Sequence, residues 1–135
     1  MHYSTLFDVG GPALLVVAGG GLLALILATA IITALESLVL WLLHWGTFKR
    51  ALLAAFVMNL ATTILGVGIV LFTVTLGYGG LLIDWALSIL AEGGILMLFK
   101  SGAARENWLA ALAANTVSYL LVILPLYLLF GLLSK

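Results

Sequence analysis

With 135 residues, 65% of them hydrophobic and 7% charged, and a mean hydropathy of +1.35, the chain lies far from soluble proteins, which average about 25% charged residues. That composition marks an all-α integral membrane protein surrounded by membrane lipid. A net charge of zero without any run of basic residues argues against nucleic acid as a partner, and the lack of cysteine excludes disulfides, thiolate metal sites and catalytic thiols.

In chain order, the N-terminal residues Met1 to Asp8 lack the positive region of a signal peptide, and the apolar stretch behind them is too long for one. Ala28-Thr29-Ala30 mimics a cleavage site, but helix 1 supplies half of a repeat described below, so no cleavage is expected. Four spans of the required ~20 residues are predicted, near 20–44, 50–76, 81–100 and 106–132. Residues 1–19 form an N-terminal extension, with 12–19 extending or capping helix 1 and Gly19-Gly20-Gly21 offering a helix break. The punctuation falls at Gly46 to Arg50, Gly77 to Gly80 and Ser101 to Arg105. Pro125 should kink helix 4 by removing a backbone donor.

Lys49, Arg50, Lys100 and Arg105 all sit at the turns near 46 and 102, whereas Lys135 is alone at the other side. The positive-inside rule then predicts cytoplasmic turns, with both termini on the opposite side. Trp41, Trp45 and Trp108 fall on the basic side and Tyr78 and Trp85 on the other, as interfacial belts would.

The windows 36–63 and 92–119 align without a gap at a period of 56. Identical pairs are Glu36/Glu92, Leu40/Leu96, Leu42/Leu98, Gly46/Gly102, Leu53/Leu109, Ala54/Ala110, Ala55/Ala111 and Asn59/Asn115; Lys49/Arg105 and Thr62/Ser118 are chemically similar. The chain therefore reads as one membrane domain built from two tandem parallel two-helix repeats, about 20–76 and 77–132. An even number of helices per repeat makes both copies insert in the same direction, unlike inverted repeats.

Glu36 lies eight residues before the turn, roughly 12 Å below the helix end, and Asn59 returns to nearly that depth after the turn. The same arithmetic pairs Glu92 with Asn115. An ionisable group at such depth costs about 2.5–3.5 kcal/mol on insertion scales and should face protein or a cavity. Helical spacing extends each polar position into a stripe: Thr29, Thr33 and Glu36; Asn59, Thr62/Thr63 and Gly66; Asp84, Ser88 and Glu92; Asn115 and Ser118/Tyr119. All four stripes are expected to converge. Ala110, Ala114 and Ser118 make a small-residue track, and Gly93-Gly94 clears a surface for close helix approach.

Two functions follow from this set. The leading expectation is a non-catalytic transmembrane subunit, packed in or beside a larger membrane complex, for example an energy-transducing or pigment-bearing one, whose Glu/Asn pairs fix helix packing. Other integral membrane subunits, or the chain itself, would be its partners. The alternative is a small homodimeric transporter or channel using Glu36 and Glu92 as proton- or cation-coupling carboxylates, with Asp84, Ser88 and Thr33 as access or partner-contact residues. Asp84 has no counterpart one period earlier, where Ala28 stands. His44, between Trp41 and Trp45, is a weak candidate for a pigment or haem ligand and otherwise a solvated or capping residue; His2 is weaker still. No metal site is expected from two histidines and no cysteine. Arg105-Glu106 reads as a solvated turn with Glu106 favourable at a helix N-terminus. No catalytic motif is present and no catalytic residue is assigned, because nothing supplies a nucleophile or metal beside the carboxylates.

Overall fold

A computed structural model describes the backbone of residues 5–76 and 78–133 and the side chains of residues 20–66, 76 and 79–129. His2, Gly77 and Lys135, and the side chains of Gly19 and Tyr78, lie outside the described residues. Helix α1 runs Thr5–Leu42, α2 Phe48–Leu76, α3 Tyr78–Phe99 and α4 Ala104–Ser118; a π-helical turn, Tyr119–Ile123, joins α4 to α5, Leu124–Leu133. All-helical structure is what an apolar solvent demands, since it offers backbone groups no partners of its own. Four segments are long and apolar enough to cross a membrane: Gly20–Leu42, Phe48–Gly66, Gly79–Phe99 and Ala104–Leu129.

Three expectations about the helices change. The Gly19–Gly21 break is absent, because α1 continues unbroken from Thr5 through the glycines. In a medium without competing hydrogen-bond partners, keeping the intrahelical bonds outweighs the roughly 1 kcal/mol propensity deficit of each glycine. At about 1.5 Å per residue its 38 residues span about 57 Å, well beyond a hydrocarbon core of about 30 Å. Second, the irregularity ahead of Pro125 is a π turn, in which the Leu124 N–H bonds the Tyr119 carbonyl. The wider coil accommodates a ring that would otherwise collide with the carbonyl four residues earlier.

Helix α1 ends by a Schellman closure. The His44 N–H bonds the Trp41 carbonyl at 2.9 Å and the Trp45 N–H bonds the Leu40 carbonyl at 3.0 Å, with His44 in the left-handed region at φ 56°. Leu40 and Trp45 supply the hydrophobic contact that accompanies this motif, and both are buried in the core. Thr47 then starts α2, its hydroxyl accepting from the Arg50 N–H at 3.4 Å. The second turn uses Gly102 instead, at φ +83°.

The third change concerns Trp45. It is 1% exposed and therefore no interfacial anchor. Its indole donates to Asn107 Oδ1 at 2.7 Å, while Asn107 Nδ2 donates to the Lys100 carbonyl at 2.8 Å. Lys100 Nζ reaches the Trp45 carbonyl at 3.3 Å and pairs with Glu106 at 2.5 Å, so Glu106, in the first turn of α4, also closes a contact. Arg50 donates to the Phe99 carbonyl and lies over the Trp45 ring, 5.6 Å from its centroid. Burial wins over an interfacial position because Asn107 satisfies the indole N–H inside the bundle. These bonds hold both turns at one end of the molecule.

Helix α1 packs against α2 and α4, α2 also against α3, and α3 against α4, closing a four-membered ring. The core near the turn end joins Leu40, Trp45, Met58 and Leu96 to Ala51, Ala54, Ala55, Ala110 and Ala111. Lipid is as apolar as these side chains, so close packing of small residues, more than water exclusion, holds such helices together. Ala110, Ala114 and Ser118 are all buried. Large apolar residues cover the outside, Leu98 being 84% exposed.

Gly93 meets Trp108: a Cβ there would stand 2.3 Å from the indole, whereas Gly94 has nothing within 4 Å. The cleared surface therefore receives an aromatic ring at only one of the two glycines. Gly93→Ala should destabilise by up to about 2 kcal/mol, the difference between an overpacking cost of about 1–3 and a helix-propensity gain of about 1. In a Trp108→Leu background the same change should become stabilising. Thermal unfolding of the four variants measures the reversal.

Candidate functional site

Each conspicuous glutamate stands two turns before the end of its helix, opposite an asparagine on the helix that returns. Asn59 Nδ2 donates to Glu36 Oε2 at 2.5 Å and to the Ala55 carbonyl at 3.0 Å. Asn115 Nδ2 donates to Glu92 Oε2 at 2.6 Å and to the Ala111 carbonyl at 3.0 Å. The second bond on each amide, back to its own helix, fixes the asparagine rotamer and aims the amide at the carboxyl.

A further hydrogen bond crosses between the hairpins. Ser118 Oγ, on α4, donates to Glu36 Oε1 at 2.8 Å. The Thr62 hydroxyl, on α2, donates to the Met58 carbonyl at 3.0 Å and stands on the same cavity wall as Glu92. Glu36 is thus held by its own hairpin's amide and by the other hairpin's hydroxyl, and Glu92 by its own hairpin's amide. Glu36 and Glu92 are 1% and 2% exposed, and among the described residues no buried side-chain nitrogen or oxygen lacks a hydrogen-bond partner. Such closure is what an apolar solvent requires of buried polar groups.

The glutamates also border a cavity of about 430 Å³ between the four helices. Its wall takes residues before and including Glu36 on α1, from Asn59 onward on α2, up to Glu92 on α3, and from Asn115 onward beyond α4's midpoint. The cavity therefore extends from the carboxyls away from the two turns. The Trp45, Asn107 and Lys100 cluster fills the opposite end.

Three of the four polar stripes face this cavity in full: Asn59, Thr62, Thr63 and Gly66; Asp84, Ser88 and Glu92; Asn115, Ser118 and Tyr119. On α1 the wall is Leu25, Ala28, Thr29, Ile32 and Glu36, while Thr33 is buried elsewhere. At 100° per residue Thr29 lies only about 20° from Glu36 around the helix, against about 60° for Thr33. Thr33 is therefore not an access residue of this cavity. Asp84 accepts a hydrogen bond from the Tyr119 hydroxyl, and Ser88 stands on the same wall. Ala28 forms part of the wall with no polar group to offer.

His44 stands exposed at the turn end, its backbone spent on the Schellman closure. Among the described residues no three His, Asp or Glu side chains converge as a metal site would require. Sequence reasoning missed Asn107 and the bond from Ser118 to Glu36. A signal for Asn107 was present: it lies three and four residues before Ala110 and Ala111 and seven before Ala114, on the same buried face. Comparison with protein-family models, with curated proteins and with solved structures finds no match.

Proposed function

We propose that this protein is a small membrane transporter or channel that handles protons or cations at Glu36 and Glu92. The observation that supports it is the cavity reaching both carboxyls from one end of the bundle. The pairs are closed by hydrogen bonds, yet they stand at the end of a space large enough for a ligand and give it an acidic floor. The proteoliposome test is a vesicle with a trapped pH dye and an imposed proton or alkali-cation gradient. Flux above that of protein-free vesicles is expected; rates equal to theirs under every gradient would refute the proposal.

The same reading includes an architecture of two tandem parallel hairpins, repeating at 56 residues. It is supported by matched burial: Glu36/Glu92, Leu40/Leu96, Ala54/Ala110, Ala55/Ala111 and Asn59/Asn115 are buried in both copies, while Leu42/Leu98 and Leu53/Leu109 face outward in both. Hydrogen bonds at the same 23-residue separation add to this. The basic turns are proposed to be cytoplasmic. Because the chain has no cysteine, single cysteines at Thr47 and Ser101 give a clean labelling test. Both should react from the cytoplasmic face; reaction from opposite faces would refute the parallel arrangement.

A second reading, a non-catalytic subunit of a larger membrane complex, is favoured by the apolar outer surface, with Ile64 and Leu82 each 67% exposed. Native separation after gentle detergent extraction distinguishes the two, since a subunit should co-migrate with defined large partners.

A further inference from the structure

Tyr119 is a partition between two cavities. On one side lies the acidic cavity; on the other lies a lateral pocket of about 370 Å³, walled by Leu81, Leu82 and Trp85 on α3 and by Thr116, Leu120 and Leu124 near the π turn. Tyr119 borders both. Its hydroxyl bonds Asp84, which stands with Ser88 on the wall of the acidic cavity. It is also the first residue of the π turn, where the backbone departs from regular α-helical bonding, a device found often at functional positions.

The two cavities have complementary chemistry. The first carries three carboxyl groups, Glu36, Asp84 and Glu92, with no Lys, Arg or His in its wall. The second is apolar apart from Thr116 and the Tyr119 hydroxyl. The carboxyls are spread along the cavity instead of converging as a metal cage would, which suits an extended organic cation better than a compact divalent ion.

We propose that the lateral pocket and the central cavity form one binding site for an amphipathic cation. The tail lies against Trp85 and Leu120, the cationic head is met by Asp84 and then Glu92, and entry from the bilayer requires Tyr119 to release Asp84. This proposal rests on the reading of the central cavity as a cation site. One period earlier the corresponding residues are Ala28 for Asp84, Thr29 for Trp85 and Thr63 for Tyr119. The first hairpin therefore lacks these latch residues.

The test uses the full chain in phosphatidylcholine nanodiscs, titrated with dodecyltrimethylammonium, tetramethylammonium and dodecyl sulfate. Binding is read from Trp85 fluorescence, with Trp85→Phe defining the background. The long-chain cation should bind roughly tenfold or more tightly than either comparison probe, the scale of one charge-assisted contact or two buried methylenes. Asp84→Asn should weaken it by about tenfold, and Thr116→Trp, which fills the lateral pocket, should remove its advantage over tetramethylammonium. Tyr119→Phe, which keeps the partition and loses the latch, should speed association. Equal responses to dodecyltrimethylammonium and dodecyl sulfate, or indifference to Asp84→Asn, would overturn the proposal. If tetramethylammonium binds in a manner sensitive to Glu36→Gln and Glu92→Gln while the long chain adds nothing, the portal fails and the cation site stands. If neither cation binds, the proposal fails, and the reading of Glu36 and Glu92 as proton- or alkali-cation-handling groups is decided separately by the vesicle flux.

Discussion

Glu36→Gln combined with Glu92→Gln is expected to reduce proton- or cation-driven flux in reconstituted vesicles to the protein-free level while the bundle stays folded. The geometry explains why folding survives. A glutamine carbonyl at position 36 can still accept from Asn59, and its amide can donate to Ser118 Oγ. Ser118 then turns its hydrogen to the Asn115 carbonyl, already 3.1 Å away. At position 92 the glutamine carbonyl can likewise accept from Asn115, while its amide faces the cavity wall that carries the Thr62 hydroxyl oxygen. The amide bond to each asparagine survives the exchange, so the stability change should stay within about 1 kcal/mol, near the ~0.6 average of interhelical hydrogen bonds in membranes. What disappears is the group able to release a proton or carry a charge. Vesicle flux, with thermal unfolding of the same preparation, checks both halves. Unaltered flux in the folded double variant would exclude these carboxyls as the coupling groups.

Trp45→Ala should be the most destabilising single change, losing about 3–5 kcal/mol from the cavity it leaves. Trp45 contacts groups from both turns, and its indole N–H is the donor that satisfies Asn107 Oδ1. Trp45→Phe separates the contributions, retaining most of the ring volume while stranding that oxygen at a cost of about 1–3 kcal/mol. Thermal unfolding should therefore order the proteins as native, Trp45→Phe, Trp45→Ala. If the two variants unfold together, the hydrogen bond and not the packing holds the two turns.

Both predictions draw on residues of very different legibility. Glu36 and Asn59 can be paired by counting alone, because hairpin depth follows from a fixed rise per residue and a lone carboxyl in lipid must find a partner. Helix number and the convergence of polar stripes follow from hydropathy and helical period in the same way. Trp45 reads wrongly for an equally physical reason. Tryptophan near a basic turn is ordinarily interfacial, and only the position of Asn107, 62 residues away, makes burial of the indole favourable. The π turn is legible only as a proline; whether a helix kinks or widens depends on what packs beside it.

Local order and depth were thus determined by the sequence itself, since rise per residue, helical period and the insolubility of polar groups in hydrocarbon act on each segment independently. That Glu36 takes a hydroxyl from α4, that one cavity borders both glutamates, and that Tyr119 lines both this cavity and a lateral pocket were decided by tertiary structure alone. These depend on the rotation of each helix against its neighbours, and in lipid that rotation is set by close packing of side chains distant in sequence.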